Sequence, residues 1–231
     1  MSKNVKLSEI FYSVQGEGSL VGVPSVFVRT SGCNLRCTWC DTPYTSWQPE
    51  GEDWSVDQIL RRVAEFGATH VVVTGGEPMI APEIVALTNE LHRAGLHITV
   101  ETAGTVYQRV ACDLMSISPK LKNSVPVERE GGRWAAQHER LRWQPDVLRR
   151  LIAEYAHQLK FVIADPNDLD EIEFMHRELG VGARSIVLMP EGIDRDILRE
   201  RGEWIVEICK QRGYRFSPRL HVDLWGARRG V

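Results

Sequence analysis

Short apolar runs alternate with segments whose apolar positions recur at helical spacing. Residues 71–73 form a continuous valine run of the kind found in buried strands. Helical spacing is clearest at Val56, Ile59, Leu60 and Val63. Ser55 and Gln58 stand three residues apart at the start of that segment, which is the pattern of a capping box. The alternation predicts a largely parallel α/β sheet whose strands are connected by helices.

Six segments are predicted to be the strands of this sheet. They are residues 25–29, 71–73, 98–101, 114–118, 159–163 and 186–189. Helices are predicted to begin near Val56, Pro82, Pro145, Asp168 and Ile197. Six strand–helix units are fewer than the eight of a closed barrel, so we expect an open, partial barrel with its chemistry at the strand ends. Two short extended segments are expected near the C-terminus, at 214–216 and 220–222.

One stretch does not fit the alternation. Residues 122–144 are mostly polar and contain Pro126, Gly131 and Gly132, which predicts a long loop or partly ordered insertion within the limits 120–146. The chain shows no internal repeat and no low-complexity tract. Its 231 residues and 43% hydrophobic content are enough for one sizeable core. We therefore expect residues 1–231 to form a single domain.

Composition argues against several classes of protein. The formal net charge is −3, so there is no overall basic field and direct nucleic-acid binding is not expected. No apolar run approaches the roughly 18 residues that a membrane-spanning helix needs. The first residues lack the apolar core of a signal peptide, and we expect a cytoplasmic location. The five cysteines argue against a disulfide framework, and Cys112 and Cys209 are predicted to pack in apolar surroundings.

Cys33, Cys37 and Cys40 are the most informative residues of the chain. Their C-x3-C-x2-C spacing places three thiols on one short segment after the first predicted strand. A structural zinc site normally uses four protein ligands, and so does a fully protein-ligated [4Fe–4S] cluster. Three thiolates therefore leave one corner of a cubane open for another ligand. The alternative is a structural zinc ion with His70 or His92 as its fourth ligand.

The cysteine spacing resembles the signature of the radical S-adenosylmethionine (SAM) superfamily, in which SAM binds the open iron. Trp39 before the last cysteine and the sequence Gly-Gly-Glu-Pro at 75–78, after the next predicted strand, fit the same resemblance. Glycines there allow a close approach of the backbone to a ligand. The resemblance implies a [4Fe–4S] cluster on the three cysteines and SAM as cofactor. It also implies SAM contacts from Gly75, Gly76, Glu77, Thr102, Ser118 and Lys120, with residues 189–192 near the adenine.

Other segments are similar to the 7-carboxy-7-deazaguanine synthase family within that superfamily. The similarity lies in EIFYSVQGEG at 9–18, GVPSVFVR at 22–29, CDTPY at 40–44, ETAGT at 101–105, SPKL at 118–121 and RLHVDLWG at 219–226. It therefore covers essentially the whole chain, although Ala103 stands where family members commonly have asparagine. The resemblance implies a partial, open (β/α)6-type TIM barrel with short N- and C-terminal extensions.

The same resemblance implies a reaction and a set of partners. The substrate would be 6-carboxy-5,6,7,8-tetrahydropterin, which loses ammonia to give 7-carboxy-7-deazaguanine for queuosine and related deazapurines. A flavodoxin or ferredoxin is implied as electron donor, and a homodimer as the assembly. The Thr42 hydroxyl is implied as a ligand of Mg2+, a hard cation that prefers oxygen ligands, with helix capping as the alternative role. Substrate contacts are implied for Gln15, Gly16, Glu17, Arg29, Glu101 and His221, with Arg29 on the carboxylate.

Two further classes remain open. A glycyl-radical activase would share the cysteine spacing, but it acts on a protein and would give Glu17, Arg29, Thr42 and His221 no role. A noncatalytic iron–sulfur carrier or zinc-binding module would need a fourth protein ligand. Iron and sulfide analysis of reconstituted protein, with and without SAM, would separate these classes.

Overall fold

The structure is a computed structural model that describes residues 4–231. Its strands are β1 (Asn4–Val14), β2 (Pro24–Thr30), β3 (Glu52–Ser55), β4 (His70–Gly75), β5 (His97–Thr102), β6 (Leu114–Ile117), β7 (His157–Ile163), β8 (Ile186–Pro190) and β9 (Arg215–Phe216). Its α-helices are α1 (Pro43–Ser46), α2 (Val56–Ala64), α3 (Ile84–Arg93), α4 (Ala135–Arg142), α5 (Pro145–Glu154), α6 (Asp168–Leu179), α7 (Arg195–Arg212) and α8 (Leu220–Trp225). Short 3-10 helices occupy Gly18–Leu20, Pro78–Ile80, Lys122–Ser124, Arg129–Gly132 and Ala183–Ser185.

These strands form one sheet with the order β3-β1-β2-β4-β5-β6-β7-β8-β9. Neighbours from β2 to β9 are parallel, whereas β1 pairs antiparallel with both β2 and β3. The six predicted parallel strands are all present, as β2, β4, β5, β6, β7 and β8. The end strands β3 and β9 do not pair with each other, so the sheet is open, as predicted.

The core follows the apolar pattern of the sequence. The valines of β4 are almost fully buried, and Ile59 and Val63 of α2 pack in the same core. The capping box of α2 is present, with a 2.8 Å hydrogen bond from the Ser55 backbone amide to Gln58 Oε1. Burial of both sheet faces explains why the parallel strands read as continuous apolar runs.

Residues 120–146, expected to be a loop or insertion, contain helix α4 and pack against the cysteine segment. His138 is buried, and its Nδ1 accepts a hydrogen bond from the Arg36 amide at 3.0 Å. The Ser124 carbonyl accepts another from the Thr38 amide at 2.8 Å. The polar residues of this segment therefore bind a neighbouring loop, whereas their polarity had predicted a long loop or partly ordered insertion.

Two other elements differ from the prediction. Residues 220–222 were expected to be extended but begin helix α8, whose Leu220 amide donates to the Gly16 carbonyl at 2.9 Å. Strand β1 and the edge strand β3 extend the sheet beyond the predicted strands. Residues 214–216 contain the short strand β9, in agreement with expectation. Within residues 4–231 no helix combines the length and apolar character needed to span a membrane.

Candidate active site

A cavity of about 450 Å3 lies at the carboxyl edge of the parallel strands. One side consists of the segment 31–47 after β2, together with the loop 75–77 after β4; we call it the cysteine wall. Charged groups also line this cavity, and we call them the ionic wall; all of them except Asp41, which belongs to the segment 31–47, come from other segments of the chain. Its members are Glu17, Asp41, Glu101, Lys160 and Arg219. Cys33, Cys37 and Cys40 all line the same cavity as these charges.

Backbone-to-backbone packing forms the cysteine wall. The Glu77 amide donates to the Gly32 carbonyl at 2.9 Å, and the Gly32 amide donates to the Thr45 carbonyl at 2.9 Å. A Cβ atom on Gly76 would lie 2.1 Å from the Gly32 oxygen and 2.7 Å from the Thr45 oxygen. Gly75 is similarly close to Thr30. The two glycines are therefore required for the contact between the two loops, whatever else they bind.

The three thiols are a donor set suited to a metal cluster. The Leu35 amide donates to Cys33 Sγ at 3.3 Å, and the Ser46 hydroxyl lies 3.2 Å from Cys40 Sγ. Burial raises the pKa of both Cys33 and Cys37 to about 12. Such thiols stay protonated until a metal supplies positive charge, and metal coordination then deprotonates them.

The zinc alternative finds no fourth ligand here. His70 stacks on His97 at 4.7 Å between ring centroids, at the amino ends of β4 and β5, opposite the cysteines. His92 is exposed on α3. In the described part of the chain, no three His, Cys, Asp or Glu side chains are arranged around a single ion. Zinc needs its ligands within about 2.0–2.3 Å of one point, and among the described residues neither histidine completes such a set with the cysteines.

Glu77 is directed away from the cavity. It is buried, and its carboxylate accepts hydrogen bonds from Thr102 Oγ1 at 2.7 Å, the Ala103 amide at 2.8 Å and the Met79 amide at 3.1 Å. Burial raises the pKa of Glu77, although these hydrogen bonds oppose the shift. The side chain therefore ties the loop after β4 to the loop after β5. Because Ala103 takes part through its amide, its lack of an asparagine side chain leaves this contact intact.

The other predicted SAM contacts lie along the cavity. Gly75, Gly76, Thr102, Ser118 and Lys120 all line it, and so do Met189, Glu191 and Gly192 at the end of β8. Lys120 Nζ donates to Ser118 Oγ at 2.8 Å and lies 5.8 Å from the centre of the Trp39 ring. The structure therefore brings the predicted SAM contacts to one cavity, with the Glu77 side chain as the exception.

Ion pairs around the buried cations Lys160 and Arg219 form the ionic wall. Glu17 lies between Lys160 Nζ, with which it forms a hydrogen-bonded ion pair, and Arg219 Nε at 3.1 Å. Arg219 also pairs with Asp41, and Lys160 Nζ lies 3.8 Å from Glu101 Oε1. Burial disfavours the Glu17 carboxylate, but the charges of Lys160 and Arg219 outweigh it and hold the pKa of Glu17 well below its usual range. Glu17 is therefore a fixed anion at neutral pH.

Neutral side chains complete this wall. Gln15 Nε2 donates to Glu101 Oε1 at 3.2 Å and Thr74 Oγ1 donates to Glu101 Oε2 at 2.9 Å, so both carboxylate oxygens are engaged. A Cβ atom on Gly16 would lie 2.0 Å from His221 Nδ1, which leaves space there only for glycine. Burial lowers the pKa of His221, despite the neighbouring Glu17, and this favours a neutral imidazole at pH 7.

Arg29 and Thr42 also line the cavity. Arg29 Nε donates to Glu9 Oε1 at 2.7 Å, and the Tyr44 hydroxyl donates to the same oxygen at 3.0 Å. Thr42 precedes α1, but its side chain makes no capping hydrogen bond, which argues against the capping role. Its hydroxyl lies 3.9 Å from Cys40 Sγ, within the cysteine wall.

Sequence reasoning missed four residues of this site. Lys160 and Arg219 are the buried cations of the ionic wall, Asp41 pairs with Arg219, and Glu9 orients Arg29. The sequence could have indicated Lys160, because it is the one charged residue in the apolar run 159–163. Lysine is almost never buried without a partner, so this position predicts a buried ion pair. The ion-pair partners themselves depend on the fold.

Comparison with known proteins agrees with this geometry. Residues 27–121 match the Radical SAM superfamily. A 7-carboxy-7-deazaguanine synthase of Rhodopirellula baltica is 45% identical over 226 residues, covering 97% of this chain and 88% of the relative. The enzyme of that name from Halobacterium salinarum is 45% identical over 230 residues, covering 95% of this chain and 90% of the relative. The crystal structure of QueE from Escherichia coli superimposes with a TM-score of 0.69 and 27% identity, covering 94% of this chain and 95% of that chain.

The similarity extends over almost the full length of both the chain and its relatives. It therefore includes the segment after β1, which supplies Gln15 and Glu17 to the cavity, and the start of α8, which supplies Arg219 and His221. A noncatalytic carrier or an activase gives these residues no role. The chain belongs to the 7-carboxy-7-deazaguanine synthase family of radical SAM enzymes.

Proposed function

We propose that the enzyme converts 6-carboxy-5,6,7,8-tetrahydropterin to 7-carboxy-7-deazaguanine with loss of ammonia. One observation carries the proposal: the cysteine wall and the ionic wall line the same cavity. A radical generated at the first wall would meet a polar substrate held at the second. The shared name of the relatives supports the same reaction.

The cysteine wall suits the two cofactors that this reaction needs. Cys33, Cys37 and Cys40 would hold a [4Fe–4S] cluster, and the backbone at Gly75 and Gly76 would contact SAM. Thr102, Ser118 and Lys120 line the adjoining space as polar contacts for SAM. When bound, the reduced cluster and SAM supply hydrogen-atom abstraction from C6 of the substrate. The chain itself positions the substrate carbon and keeps water from the reacting atoms.

The ionic wall suits the substrate. A carboxytetrahydropterin presents one carboxylate and several N–H donors on a flat ring. Arg29 has five N–H donors and uses Nε for Glu9, so its other donors can bind a carboxylate in a bidentate manner. Glu17 and Glu101 are acceptors for the ring N–H groups, and the neutral His221 can accept or donate. Lys160 and Arg219 keep Glu17 ionised for this task.

We also propose that Mg2+ binds at the Thr42 hydroxyl. This hydroxyl borders the cavity beside the cysteine wall. One protein oxygen is a sparse ligand set, but Mg2+ commonly keeps several waters and takes further oxygens from its substrate. Here the substrate carboxylate, oriented by Arg29, would be such a ligand. The ion would then act as a Lewis acid and as a template for orientation.

We propose the electron donor, the compartment, the assembly and the domain organisation on the same basis. A flavodoxin or ferredoxin would reduce the cluster, the enzyme would act in the cytoplasm as a homodimer, and residues 1–231 would form one domain. A reducing compartment suits five cysteines that are all free. One sheet with one continuous core suits a single domain.

Mass spectrometry of one anaerobic reaction tests the proposal. Reconstituted protein is mixed with SAM, dithionite, Mg2+ and 6-carboxytetrahydropterin, and Cys37→Ala serves as the control. We expect a product lighter by the mass of ammonia with the natural chain and none with the variant. If SAM is cleaved to 5′-deoxyadenosine and the pterin is unchanged, the substrate is wrong. If the protein binds zinc instead of iron and neither compound changes, the reaction class is wrong.

A further inference from the structure

Three arginines surround the outer face of the cysteine segment, each stacked on a tryptophan. Arg129 lies 3.8 Å from the centre of the Trp47 ring. Arg36 and Arg133 lie 4.9 and 5.1 Å from the centre of the Trp134 ring. We call these five residues the arginine rim. Most of it comes from the segment 122–144, which the resemblance to the family left without a role.

The charges of the rim are not neutralised by ion pairs. Within residues 4–231, Arg36, Arg129 and Arg133 have no carboxylate partner at salt-bridge distance, although other surface arginines such as Arg62 and Arg149 do. Arg36 donates instead to the carbonyl oxygens of Cys33 and Leu35 at 2.7 and 2.8 Å. The carboxylates nearest in sequence are those of Glu128 and Glu130, and Glu130 is engaged by Trp134 Nε1 at 3.1 Å.

The rim contacts the backbone that carries the cluster ligands. Arg129 donates to the Thr38 carbonyl at 3.1 Å, and Trp47 Nε1 donates to the Cys37 carbonyl at 3.0 Å. Thr38, between Cys37 and Cys40, is itself exposed. Only one loop of peptide therefore separates the proposed cluster from this surface. An electron arriving here would have a short path to the iron.

We propose that the arginine rim is the docking surface for an acidic one-electron carrier protein. The inference rests on the proposed function, because a cluster that cleaves SAM must receive one electron from outside the chain. In the step considered, the carrier is oxidised by one electron and the cluster is reduced by one.

Charge and residue type both fit such a partner. The whole chain has a net charge of −3, so an acidic carrier would be repelled unless a local basic surface guided it. Arginine and tryptophan are the residues most enriched at protein interfaces and their energetic centres. Val127, beside the rim, exposes 68% of its surface and adds an apolar contact. Transient complexes between redox proteins bury little surface area, so a docking surface built around these five residues is sufficient.

Cluster reduction provides the test, since it is observed without any pterin chemistry. Reconstituted protein is mixed anaerobically with a photoreduced flavodoxin, and the loss of cluster absorbance is followed by stopped flow. Arg133→Glu is the main variant, because Arg133 is exposed and its side chain, which lies over the Trp134 ring, forms no hydrogen bond or ion pair with any residue among 4–231. Arg129→Lys retains the charge and alters the geometry. Arg184→Glu, exposed before β8 at the opposite edge of the sheet, makes the same charge change as the main variant and is the matched control.

We expect Arg133→Glu to slow reduction by flavodoxin on the order of tenfold at low salt, with a smaller difference at high salt. Dithionite needs no docking surface, so it should reduce the cluster of Arg133→Glu at the same rate as that of the natural chain. Arg184→Glu and Arg129→Lys should stay within about twofold of the natural chain with either reductant. An unchanged flavodoxin rate, or an equal loss with dithionite, would overturn the proposal. A cluster that is reduced normally in a protein that leaves the pterin unchanged would overturn only the proposed function.

Discussion

The cysteine wall and the ionic wall border the same cavity but are assembled differently. The cysteine wall consists mainly of one stretch of chain, 31–47, held by amide-to-carbonyl bonds to a loop after the neighbouring strand. The ionic wall brings together Glu17 with Lys160, 143 residues away, and with Arg219, 202 residues away. Local packing therefore forms the wall proposed for the cofactors, and long-range ion pairs form the wall proposed for the substrate.

Mutations in the two walls should reduce stability for different physical reasons. The close backbone contacts of the cysteine wall leave no room for an added atom. Breaking them, however, leaves no unpaired charge. A buried ion pair that loses one partner leaves an uncompensated charge in a low-dielectric site, which costs several kcal/mol. We therefore expect the largest loss of stability from the ionic wall, although its residues are not neighbours in sequence.

Replacing Arg219 with glutamine should give the largest effect. Asp41 would lose its counterion and Glu17 would keep only Lys160, so we expect the free energy of unfolding to fall by about 3 kcal/mol, the lower end of the range for a broken buried ion pair. Urea denaturation of the apoprotein at pH 7 measures this change. Arg149→Gln is the matched control, because Arg149 is exposed and pairs with Asp146 and Glu178 on the surface. That variant should change stability by less than about 1 kcal/mol, and equal losses in the two variants would contradict the comparison.

Gly76→Ala should break the cysteine wall. The added methyl group would lie 2.1 Å from the Gly32 carbonyl oxygen, so the backbone must move. We expect a loss of about 1 to 3 kcal/mol and a lower iron content after reconstitution, measured by denaturation and by iron analysis. Gly182→Ala is a suitable control, because nothing lies within 4 Å of the added atom. Full iron loading of Gly76→Ala would show that the two loops need not touch.

A smaller effect is expected from pH, through the contact between α4 and the cysteine segment. Burial, reinforced by Arg142 and Lys120, lowers the pKa of His138 to about 4. The unfolded chain takes up this proton below about pH 6.5, whereas the folded chain does not until about pH 4, so stability should fall across that interval. His138→Asn keeps an acceptor for the Arg36 amide and does not titrate. Its stability should depend less on pH than that of the natural chain.

Urea denaturation of the apoprotein at pH 7, 6 and 5 measures this difference in slope. His92→Asn is the control, since His92 is exposed on α3 and its removal should leave the slope unchanged. Parallel stability curves for the natural chain and His138→Asn would rule out a buried, neutral His138.

The sequence predicted those parts of the fold and the site that depend on one continuous segment of the chain. The six parallel strands and the open sheet follow from apolar runs, and the three cysteines lie on one cavity because they share one loop. Gly75 and Gly76 lie where their motif places them. The side chain of Glu77 does not face the cavity, because three donors from neighbouring loops engage its carboxylate.

Long-range partners could not be predicted in the same way. Nothing local to Arg219 indicates that it contacts both Glu17 and Asp41. The segment 122–144 was expected to be a loop because it is polar, yet His138 and Ser124 use their polar atoms to bind each other and the cysteine segment. Helix α8 was missed because its six residues are too few to show helical periodicity.

One measurement tests most directly whether the cysteine wall serves the cofactors and the ionic wall serves the substrate. The natural chain and Lys160→Met are each reconstituted and given SAM, dithionite, Mg2+ and 6-carboxytetrahydropterin, and both 5′-deoxyadenosine and the deazaguanine product are quantified. The account predicts product from the natural chain, and from Lys160→Met a full cluster and SAM cleavage with little or no product. A Lys160→Met protein that forms product like the natural chain, or that loses the cluster and SAM cleavage together with the product, would contradict it.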